Sequence, residues 1–233
     1  MTGKFMVVAT LAAVPFLLPR SEAVAVTSTA PRVQDPTLEI YDFVTSIHIH
    51  GVDYGAAHDL GPAALPLLEE YLNSPRMKAH WPNIISTMAF IGEPQVHDIL
   101  DGFIMNRFEG EVDLMTFQAL ICAQGALGHV GDPQLSTELA QGADPAYWLT
   151  LPWQYKHYNG EHLQILWSKL SINALSYTAS EHAEESLRGL EQAPFHPRQM
   201  SNITEGLERI PTIRSMGIEA FERDRDRQRA ERF

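Results

Sequence analysis

Ten histidines are many for a chain of 233 residues, and they are the first place to look for chemistry. In His48-Ile49-His50, an extended backbone would turn both rings to one face. Paired imidazoles can hold zinc when a third ligand converges on them. No HExxH accompanies the pair, and no third ligand stands close to it. His97 and Asp101 are four apart on an expected helix, the spacing of a surface pair. His157 and His162 flank the end of an aromatic segment, at a spacing that points to no particular metal. Clustered histidines in a metal-dependent enzyme or metal-binding accessory protein therefore form the alternative reading. The lone thiol, Cys122, lies in the apolar run ALICAQGAL with no basic neighbour to lower its pKa, so it reads as a buried small hydrophobe. Neither GxSxG nor GxxxxGK[ST] occurs. Glu69-Glu70 and Glu184-Glu185 fall where helices need a polar outer face. No catalytic residue, no metal and no cofactor is expected, and the chain does not read as an enzyme.

The elements that would position these residues follow from composition and periodicity. The formal charge of -12 and pI near 5.2 leave no basic face for a phosphate backbone, so nucleic acid is not an expected partner. Apolar residues make up 45% and charged residues 20%, enough to bury a core. One cysteine excludes an internal disulfide and CxxC zinc sites. The N-terminus has the order of a secretory signal: Lys4, then the apolar run Phe5 to Pro19, then the small residues Ala23-Val24-Ala25. Residues 1–25 are expected to direct export to the periplasm or the medium, either cleaved or kept as an anchor. Residues 26–36, polar with two prolines, read as a flexible lead-in.

A repeat is visible beyond that point. TMAFIGEP (Thr87 to Pro94) and ALGHVGDP (Ala126 to Pro133) place Gly92 and Gly131 at a spacing of 39. Both are followed by Gln, and Leu100 and Leu139 then match. A third copy, ALSYTASE (Ala174 to Glu181), lies 48 residues after the second and lacks the glycine. GLERIP (Gly206 to Pro211) is a weak fourth. Glycine at a helix C′ position, an acidic residue and a proline end one helix and open the next within three residues. Phe90, His129 and Tyr177 share one repeat position, which argues for packing near a helix end. Pro66, inside DLGPAALPLLEEYLN, should kink that helix or mark a late start. Trp81 is expected to pack between repeats.

The motifs LGPAALPLLEEYL, HWPNIISTMAFIGEP and ALGHVGDP resemble the HEAT-repeat proteins of bacteria, best from about Val52 to Ala140. The resemblance implies an all-α fold. It would be an alpha-solenoid of three to four helix pairs over 37–218, a right-handed superhelical stack. It implies a binding or scaffolding role and no catalytic residues. The missing glycine in the third copy and an insert at 144–160 depart from the family pattern. That insert, DPAYWLTLPWQYKHYNG, holds Tyr147, Trp148, Trp153, Tyr155 and Tyr158. The rings either anchor a protein or peptide partner or fold back to fill the gap between repeats, the second being favoured. Asn83 and Asn173 either satisfy the backbone or line the concave face, where they would join the binding residues. Residues 219–233 alternate basic and acidic side chains, as in a solvated helix with i,i+4 pairs or a frayed tail. The chain as a whole reads as an exported, non-catalytic interaction module.

Overall fold

The computed structural model describes residues 36–48, 51–132, 134–192 and 197–231. The signal at 1–25 and nearly all of the lead-in lie outside them. The described residues form one unit. It is built of α1 (Pro36–Thr45), α2 (Tyr54–Asp59), α3 (Leu65–Asn73), α4 (Trp81–Ile91), α5 (Val96–Met105), α6 (Leu114–Ala126), α7 (Leu135–Gly142), α8 (Gly160–Thr178), α9 (Glu181–Glu191), α10 (Pro197–Met216) and α11 (Ile218–Ala230). Among the described residues the fold is all-α apart from a two-residue parallel ladder, β1 (Gly110–Glu111) with β2 (Trp153–Gln154), and an isolated antiparallel bridge between Tyr155 and Tyr158. Pro66 falls in the first turn of α3, where its missing N–H costs nothing. Asp53 and Asp113 cap α2 and α6 by accepting from the amides of Ala56 and Thr116.

The even-numbered helices pack in sequence: α2 on α4, α4 on α6, α6 on α8, α8 on α10. The odd-numbered ones lie against them, α3 on α4, α5 on α6, α7 on α8, α9 on α10. One apolar core runs from Ile40 to Ile210. Trp81 is buried in it, edge-on to Phe103 at 5.5 Å. Polar groups also thread its middle. Gln124 donates to Ser171, and Gln199 to Ser168, which in turn donates to the carbonyl of Ala143.

The repeat corners keep a common bend by different means. Gly92 is left-handed (φ 81°) and ends α4 as expected. Gly131 is not left-handed, which corrects the expectation for the second corner. Its amide donates to the carbonyl of Gly92 at 3.0 Å, and a Cβ there would stand 2.7 Å from that oxygen. The second glycine serves close approach between neighbouring corners. The third corner needs no glycine. Ala179 itself adopts φ 49°, Ser180 caps α9, and Arg214 of α10 donates to the carbonyls of Ala179 and Ser180 and to Glu184. The suggested fourth corner does not exist. Pro211 lies inside α10, and the bend comes at Gly217.

Candidate functional site

Three regions gather chemistry-bearing side chains. The first is the insert. Trp148 is buried and donates through Nε1 to the carbonyl of Gly142 at 2.6 Å. Trp153 is 2% exposed, donates to the carbonyl of Ile104 at 2.7 Å and meets Trp167 edge-on at 4.7 Å. Tyr155 is buried and stacks on Phe117 at 4.2 Å. These three rings fold back into the body, the favoured of the two arrangements open to the sequence, and the ladder of β1 with β2 ties the segment to the loop after α5. Tyr147 and Tyr158 stay exposed, with Leu149 beside Trp148 in sequence also exposed. Asn83 donates to the carbonyls of Val44 and Ser46, holding the end of α1. Asn173 accepts from Arg209 at 2.8 Å. Both amides are therefore engaged within the chain.

The second region surrounds α11. Phe90, His129 and Tyr177 line up as the repeat implied, with centroids 5.0 and 4.4 Å apart. Across their ends lies α11, which also reaches α2. The carboxyl of Glu222, wholly buried, faces His129 Nε2 at 3.1 Å and pairs with Arg225. Arg225 also donates to the Tyr177 hydroxyl. Asp226 accepts from the amide of Tyr54, and Arg223 pairs with Asp59 at 3.0 Å. Burial, with Glu219 and Glu222 nearby, pushes the Tyr54 hydroxyl up to about 12. A solvated helix or tail was expected here; the structure shows a helix that packs on α2 and α10 and buries Glu222. The cluster resembles a proton relay in composition, with Glu222 wholly buried.

Among the described residues the histidines do not converge on a metal site. His48 meets the carbonyl of Phe43, and His58 that of Phe90; His50 lies outside the described residues. Among the described residues no three His, Cys, Asp or Glu side chains stand together as a metal would require. His97 does not pair with Asp101. Its Nδ1 meets Asp132 at 2.8 Å and its Nε2 meets Glu138 at 2.9 Å, across the seam from α5 to α7. Burial lowers its pKa most, yet the two carboxylates together outweigh it, and the ring is held above the usual imidazole value. Burial raises Asp101 nearby, and the cation on His97 opposes that.

No family model, no curated protein and no solved structure matches this chain. Any functional reading therefore stands on its own residues.

The third region is open. Between α3 and α5 lies a cavity of about 460 Å³ lined by Leu72, Ile99, Gly102 and Phe103, with Glu69, Asn73, Asp98, Asn106 and Arg107 around it. The Arg107 guanidinium lies over Trp81 at 4.8 Å, Phe103 at 5.0 Å and Phe108 at 5.6 Å. It donates to Asn73 Oδ1 at 3.3 Å and has no carboxylate partner among the described residues. Burial lowers its pKa. Reading the sequence missed this group. Its signal was an arginine four residues after Phe103 and next to Phe108, a helix-end cation set among rings. Among the described residues no helix is long and apolar enough to cross a membrane.

Proposed function

We propose that this chain is an exported, non-catalytic interaction module, a HEAT-like alpha-solenoid that holds a protein or peptide partner on its surface. The observation that carries the reading is the α3–α5 groove. Glu69, Asp98 and Arg107 stand around half-buried Ile99 and Gly102, and none of the three is in an ion pair among the described residues; a concave site with a few polar groups is the general form of a binding site. Helices that pack mainly on their sequence neighbours, with aligned corners at Gly92, Gly131 and Ala179, support a repeat architecture. The exposed rings of Tyr147 and Tyr158 offer a second, smaller contact surface beside the buried tryptophans. The apolar N-terminal run supports export, which mass analysis of the protein recovered outside the cytoplasm would test directly.

A photo-crosslinking residue placed at Asn106, on the groove, tests the interaction. It should trap a defined partner in the exported fraction, while the same residue at exposed Glu185 on α9 traps none. Equal adducts at both positions, or none at either, would reject the reading.

A further inference from the structure

We propose that the α3–α5 groove binds short apolar peptides with free termini, two to four residues long, taking the terminal carboxylate on Arg107 and the terminal ammonium between Glu69 and Asp98. This deepens the interaction reading and rests on it. The groove is polarised. Asn73, Asn106 and Arg107 stand at the C-terminal ends of α3 and α5, Glu69 midway along α3 and Asp98 in the first turn of α5. Asp98 lies in the first turn of α5 and Met105 ends it, about 10 Å of helical rise apart, with Arg107 just beyond. An extended tripeptide spans about 10 Å between its charged ends, a matching length, with its intervening side chains over half-buried Ile99 and Gly102. The volume of about 460 Å³ suits a ligand of that size.

The charges are set up for a ligand. Glu69 and Asp98 make no ion pair among the described residues, nor does Arg107. A guanidinium half-withdrawn from water is costly unless paired, and its planar fork fits a carboxylate with two parallel hydrogen bonds. The rings of Trp81, Phe103 and Phe108 fix its plane in advance.

A competing account makes Arg107 only a staple across the ends of two helices, where carbonyl oxygens welcome a cation. Gly102 speaks for the groove. It lies inside α5 without a positive φ, and a Cβ there would meet nothing within 4 Å. Glycine in a helix interior costs roughly 0.5–1 kcal/mol against alanine. Neither packing nor backbone geometry calls for it here, and what it does is leave the floor clear.

The test is isothermal titration calorimetry of the full chain with the tripeptide Leu-Ala-Leu, its C-terminal amide and its N-acetyl form. The free tripeptide should bind, the amide at least ten-fold more weakly, and the acetylated form several-fold more weakly. Arg107→Met should erase the difference between the acid and its amide. Gly102→Leu should abolish binding with a melting temperature at or above wild type, which separates blocking of the groove from loss of fold. No heat with any peptide, equal affinity for acid and amide, or undiminished binding by Gly102→Leu each overturns the proposal. If crosslinks at Asn106 persist while the tripeptides fail, only the ligand assignment falls; if both fail, the interaction reading falls with it.

Discussion

The seam under α11 and the groove between α3 and α5 treat charge in opposite ways. Under α11 the ionic groups have partners: buried Glu222 has His129 and Arg225, Asp226 has the amide of Tyr54, and at the exposed rim Arg223 has Asp59 and Glu219. In the groove, Arg107, Glu69 and Asp98 share a wall without pairing. Glu69 and Asp98 are exposed and solvated, so the charge for which a missing counter-charge matters is half-buried Arg107. The comparison teaches that sealing and exposure are both built here, one by complementarity within the chain and the other by withholding it.

The two halves of that contrast can be pulled apart by substitution. The largest effect belongs to the sealed interior. Trp153→Ala removes a fully buried ring and its hydrogen bond to Ile104 and should cost about 3–5 kcal/mol in denaturant melts; a loss below about 1 kcal/mol would mean the insert is not core. Next is Glu222→Ala, which strips His129 and Arg225 of their partner and should cost about 3 kcal/mol. A shift within error in chemical denaturation would break the claim that this seam is sealed by charge.

The His97 seam is smaller and depends on pH. The folded ring binds its proton more tightly than the unfolded one, whose value is about 6.5. Its contribution is therefore fully present below about 6.5 and is lost as pH rises through the raised folded value. Melting temperatures of wild type and His97→Gln, followed from pH 6 to pH 9, should converge with rising pH. A constant gap would show that His97 acts only by packing. The smallest effects have the opposite sign. Ala179→Gly should relieve left-handed strain at the third corner and raise stability by about 0.5 kcal/mol, the steric gain being partly offset by the freer unfolded chain. Gly102→Ala should raise it by about the same amount. A decrease for Gly102→Ala, read by differential scanning calorimetry, would place an unseen contact above that glycine.

Helix content and the first three corner positions were legible in the sequence because they depend on local rules, whereas the suggested fourth corner fell inside α10. Apolar spacing, Pro66 in a first turn and Gly92 at a C′ position all act within a few residues. The shared repeat position of Phe90, His129 and Tyr177 was legible too, since stacking follows from periodicity. What escaped depends on partners far along the chain. His97 meets Asp132 and Glu138, which lie 35 and 41 residues away; Asp101, four residues away, was the visible candidate. Gly131 looked like a second Gly92 because sequence cannot distinguish a glycine needed for φ from one needed for approach. The alternating charges of α11 read alike for a solvated helix and for one that docks an acidic residue against a histidine. Arg107 carried no motif, and its meaning lies in the absence of a carboxylate that only coordinates can reveal.

The return of α11 to α2 has a consequence for how the chain comes apart. A row of helices that touch only their neighbours can peel from either end, one unit at a time. Here Asp226 and Arg223 hold Tyr54 and Asp59 across 172 and 164 residues of chain. The two ends are thereby tethered, and neither can loosen without lifting the other. Unzipping gives way to a single all-or-none melt, and removal of residues 218–233 should turn that one transition into a broad, stepwise one.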